Sequence, residues 1–148
     1  MPFPYSLSIA ADTTVPPEDP TAPGGLPAAL EEALRSEELA FTRPDPLTLR
    51  IRKPWLIDWD RSNWDPWAYV SRGTLRIERT GTGLRVHLTV SFDGAILLVV
   101  ALGGLFLWVG LPWVGGAAWI VGDWTLIYLV ARAQMPEWLE DVTRRSAP

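Results

Sequence analysis

The clearest pattern along the chain is a period of two. Leu84, Val86, Leu88, Val90 and Phe92 alternate with Arg85, His87, Thr89 and Ser91. Strict alternation of this length predicts a strand with one apolar and one polar face. Two shorter runs share the period. Leu47, Leu49 and Ile51 alternate with Thr48, Arg50 and Arg52 just after Pro44 and Pro46, and Leu75 and Ile77 alternate with Thr74, Arg76 and Glu78. Thr80-Gly81-Thr82-Gly83 supplies residues tolerant of positive φ between the last two runs, which predicts a hairpin. The resulting antiparallel sheet has one apolar face, and the other carries Arg50, Arg52, Arg76, Arg85 and His87.

Upstream the period lengthens. Leu26, Leu30 and Leu34 recur every four residues beside Ala33, while Glu31, Glu32, Glu37 and Glu38 fall elsewhere on the wheel. With Pro27 suited to a first helical position, Leu26–Leu39 reads as a short amphipathic helix. The first 24 residues hold six prolines, and residues 1–25 read as a disordered Pro-rich tail. No basic segment precedes an apolar one there, so the tail does not read as a signal peptide.

Beyond Asp93 the polar positions disappear. Gly94–Ala131 is 38 residues with one charge, Asp123. A membrane-spanning helix needs roughly 20 residues, so the run predicts a two-helix transmembrane hairpin. It turns near Gly110-Leu111-Pro112, with spans of about 94–110 and 113–131. Nine of the 13 Lys and Arg residues lie between Arg43 and Arg85, and Arg132, Arg144 and Arg145 follow the second span. The positive-inside rule then places both termini in the cytoplasm, the protein in the inner (plasma) membrane, and Trp108 and Trp113 at the outer headgroups. Residues 132–148 form a cytoplasmic tail with a short amphipathic helix, in which Trp138, Leu139 and Val142 make a small apolar side.

Composition narrows the chemistry. The chain has 148 residues, no Cys and one His, which exclude disulfides, thiolate zinc sites, a thiol nucleophile and multi-histidine metal sites. A sequence pI near 4.9 argues against nucleic acid as a partner. No glycine-rich phosphate loop or nucleophile elbow is present.

Three candidate sites remain. The first is intramembrane: Asp123, costly at a span centre, beside a small-residue ridge of Gly115, Ala118 and Gly122, which lets another helix approach or, as the blander and favoured reading, lets the hairpin pack on itself with Gly103-Gly104 opposite Ala118-Trp119. Asp123 is open to three readings: protonated and bonded to backbone, meeting its own copy, or paired with another membrane protein. A short span that lets water reach it is the bland alternative. The second is the Trp55, Trp59, Trp64 and Trp67 segment, rich in aspartate. Asp58, Asp60 and Ser62 begin a calcium-loop spacing, but Asn63 stands at its glycine position and Tyr69 at its glutamate position. Rings capping a small core, lying among headgroups or meeting a partner fit the segment better. The third is the basic sheet face of Arg50, Arg52, Arg76 and Arg85, suited to anionic headgroups or simply solvated.

The expectation is therefore an α+β fold, a small cytoplasmic helix-and-sheet module over 26–92 followed by a two-helix transmembrane hairpin over 94–131. In outline it resembles small bacterial proteins in which a β-hairpin leads into paired membrane helices, though no motif names a family. The function expected is a two-pass, non-enzymatic scaffold or accessory subunit of a membrane complex without cofactors. Its partners are the lipid bilayer and a membrane protein or a second copy. Anionic-lipid binding at the membrane surface and a minor Asp123-dependent transport role are the alternatives.

Overall fold

The computed structural model describes residues 6–13, 25–53, 65–81, 83–110 and 113–145. Five strands form one antiparallel sheet: β1 (Ser6–Thr13), β2 (Phe41–Asp45), β3 (Thr48–Arg52), β4 (Arg72–Arg79) and β5 (Leu84–Ser91), in the order β1-β5-β4-β3-β2. Among the described residues three α-helices accompany it: α1 (Leu26–Ser36), α2 (Asp93–Trp108) and α3 (Trp113–Arg145). A 3₁₀ turn spans Pro66–Ala68, started by Asp65, whose side chain accepts from the Trp67 N–H.

The alternation sets which face is buried. Leu49 faces Leu75, which faces Leu88, which faces Ile9, and Ile77 faces Val86, which faces Ala11. Together with Leu7, Ile51, Leu84 and Val90 these positions make the covered face. Helix α1 presents Leu26, Leu30 and Leu34 to the same core, and α3 adds Ala131, Met135, Leu139 and Val142. Trp67 is 2% exposed and meets the edge of Trp138 at 5.0 Å between ring centres. Edge-to-face pairs of this kind contribute about 0.5–1.5 kcal/mol beyond their burial.

The expected transmembrane hairpin is corrected by this arrangement. Among the described residues no helix is long and apolar enough to cross a membrane. Helix α2 has 16 residues, about 24 Å at 1.5 Å per residue, short of a hydrocarbon core of ~30 Å. Helix α3 runs 33 residues without a break, through Asp123 and Arg132 into the charged end that was expected to be a separate cytoplasmic helix. Part of its apolar surface is packed within the protein. Phe92, Ala95 and Val99 are buried with Trp124 and Ile127, so the base of the hairpin belongs to the protein core. An integral inner-membrane location, and the two-pass topology drawn from the basic residues, fall with the spans.

Two strands lie where the sequence reading has none. Ser6–Thr13, inside the expected disordered tail, pairs along its whole length with β5. Leu7 and Ala11 are buried and Ile9 packs against the same core. Strand β2 joins the opposite edge through Phe41 and Thr42, with an irregularity before Asp45. Pro44 is tolerated there because an edge strand needs no donor on its outer side.

Candidate functional site

The sheet face opposite the helices is open, and its residues stand in cross-strand rows fixed by the register. At one end, Asp12, Arg85 and Glu78 are neighbours, followed by Ala10, His87, Arg76 and Thr48. This end neutralises itself. Arg85 donates to both carboxylate oxygens of Asp12 at 2.6 and 3.0 Å, which holds Asp12 below the usual carboxylate range and raises Arg85. Glu78 lies 3.5 Å from Arg76 and 3.3 Å from His87.

The other end is different. Its rows run Thr42–Arg50–Thr74–Thr89–Ser8 and Arg52–Arg72–Ser91–Ser6. Here Arg72 pairs with Asp93 at the start of α2, and Ser91 Oγ donates to the other Asp93 oxygen at 2.6 Å. The Ser91 bond, aided by Arg72, holds Asp93 below its usual range despite partial burial. Ser71 Oγ accepts from the Gly94 N–H at 2.7 Å, which fixes the helix start to the sheet. Among the described residues Arg50 and Arg52 make no ion pair, and a groove of about 290 Å³ opens between Arg50, Arg52, Arg72, Thr74, Thr89 and Ser91.

The second surface is the outer part of the helical hairpin. Leu97 (63% exposed), Val100, Leu105, Trp108 and Val109 on the α2 side, and Val121, Leu126 and Leu129 (55%) on α3, face outward. Gly115, Ala118 and Gly122 are exposed too and fall on the same helical stripe of α3 as Leu126 and Leu129, and beyond the adjoining turns of the helix itself nothing lies within 4 Å of where a Cβ on Gly115 or Gly122 would stand. Gly103 has the opposite role: a Cβ there would overlap the Ile120 side chain, so its lack of a side chain lets α2 and α3 close on each other.

The sequence-derived site residues therefore separate. Asp123 is half-buried near the base of the hairpin rather than at a span centre. Its charge reaches Tyr69, whose phenol is raised first by burial and then by that carboxylate. Trp67 is a core residue, while Trp55, Trp59 and Trp64 lie outside the described residues. Of the four arginines singled out, Arg76 and Arg85 are paired, and Arg50 and Arg52 are the ones left to act. Arg72 was overlooked because Gly73 interrupts the apolar alternation, although its parity matches Thr74 and Arg76. Among the described residues no cluster of three His, Asp or Glu side chains is placed to hold a metal ion. Comparison with family models, curated proteins and solved structures finds no match to this chain.

Proposed function

We propose that the chain is a non-enzymatic assembly module whose helical hairpin docks onto a second copy of itself. The observation that carries this reading is the apolar surface left outside on both helices, from Leu97 and Val100 to Leu126 and Leu129. A helix that is apolar all round needs cover on its free side as well as its packed side, and a contiguous exposed apolar patch marks an interaction surface. The occupant follows from shape. One stripe of α3 carries the large side chains Leu126 and Leu129 and an open small-residue ridge at Gly115, Ala118 and Gly122. A two-fold arrangement lets the large side chains of one copy sit over the ridge of the other, as a self-complementary interface requires.

The absence of cysteine makes the test clean, because one introduced thiol is the only one in the chain. Gly122→Cys is expected to form a disulfide-linked dimer under mild oxidation, and Cys placed at exposed Arg79 is not. Equal yields from both positions would show collision rather than docking and would remove the proposal. The transport reading of Asp123 depends on a membrane-spanning helix, so it is not carried forward.

A further inference from the structure

We propose that the corner of the open sheet face formed by Arg50, Arg52 and Arg72 binds a phosphate-bearing anion. The argument begins with register. Arg52 stands directly opposite Arg72, and Arg50 stands opposite Thr74, so three guanidinium-bearing positions occupy one two-by-two block of β3 and β4. Like charges directly opposite on a sheet are destabilising unless a counter-charge joins them. The sole carboxylate supplied at this corner by the described residues is Asp93, already bonded to Ser91 and paired with Arg72. The far end of the same face shows the contrast, since Asp12 and Glu78 there answer Arg85, Arg76 and His87.

The groove has the chemistry for such a ligand. Guanidinium forks present paired N–H donors that match the oxygens of a phosphate. The hydroxyls of Thr74 and Thr89 stand beside them on the same face, with Thr89 Oγ1 3.2 Å from Ser8 Oγ. Asp93 borders the corner as an opposing charge, and its two bonds keep it turned to Ser91 and Arg72. A volume of about 290 Å³ is enough for a phosphate group, and the groove is open to solvent on its outer side. The source of the phosphate is either a small soluble phosphoester or a lipid headgroup, and both offer the same oxygens.

The experiment uses the full chain, titrated with pyrophosphate by calorimetry and floated with phosphatidylcholine vesicles with and without phosphatidylglycerol. Binding is expected to weaken by about tenfold in Arg50→Gln and in Arg52→Gln, the loss of one charge-assisted fork. Arg76→Gln, already answered by Glu78, is expected to leave it within about twofold. Arg52→Lys keeps the charge and loses the fork, so an intermediate loss is expected. Circular dichroism of each variant shows that the sheet is intact. Pyrophosphate binding with this dependence assigns a soluble ligand, and phosphatidylglycerol-dependent flotation without it assigns a headgroup. No binding to either probe, or equal weakening by Arg76→Gln, overturns the proposal.

Discussion

Trp67 shows how far a single residue can be read from sequence. Its segment is rich in tryptophan and aspartate, which suggests ligands as readily as packing. Asp65 settles the matter locally by capping the 3₁₀ turn and aiming Trp67 inward at Trp138. Trp67→Ala is expected to cost about 3–5 kcal/mol in denaturant-unfolding stability, and a loss below 1 kcal/mol would show the ring to be dispensable. Asp123 is the second case. Asp123→Asn is expected to move the Tyr69 phenol back toward its ordinary value of about 10, as followed by absorbance against a Tyr69→Phe reference. Because the folded pKa of Tyr69 is raised, the stability it carries is complete below the unfolded value and is lost as pH rises past it. Asp12 and Asp93 have the opposite sign. Their folded values are depressed, so their contribution is present above the ordinary carboxylate range and is lost as pH falls below that range through the depressed folded values. An acid titration of Asp93→Asn is therefore expected to show a shallower fall in stability than the wild type.

At the scale of elements, the period of two was decisive where a strand is long and central. The runs read at 74–78 and 84–92 correspond to β4 and β5, and the one at 47–52 to β3. It fails at the sheet edges for physical reasons. Strand β1 shows only Leu7, Ile9 and Ala11 in alternation among prolines that argue for disorder, and its order comes from pairing with β5, more than 70 residues away. Strand β2 is mostly exposed and carries Pro44, so it has no apolar pattern to read. The apolar run after Asp93 correctly suggests two helices, but an all-apolar pattern looks the same in a protein core as in lipid. Only tertiary contacts from Phe92 to Trp124 and from α3 to the sheet distinguish them. Helix α3 also holds an interior Pro136. Proline inside a helix removes one hydrogen bond and costs about 3 kcal/mol, so Pro136→Ala is expected to raise the thermal midpoint. A lower midpoint would mean that the Pro136 ring itself contributes to the packing beside Trp138 and Leu139.

The whole molecule has two faces with different business. One side of the sheet is sealed by α1, the 3₁₀ turn and the lower half of α3, and the other stays open and polar, with Arg50 and Arg52 unpaired among the described residues beside the Arg72–Asp93 pair. The hairpin extends from the sealed side with its outer apolar residues uncovered. Of the candidate site, the sequence showed the small-residue ridge and two of the three relevant arginines. It could not show which arginines are neutralised, because Asp12 and Glu78 become their partners only through strand pairing. The central claim is that the hairpin is a docking surface for a second copy. Sedimentation equilibrium of the full chain beside Leu126→Glu/Leu129→Glu tests it most directly. The account predicts a concentration-dependent dimer for the wild type and a folded monomer for the double variant. A wild type that stays monomeric across the concentration range, or a double variant that dimerises equally well, contradicts it.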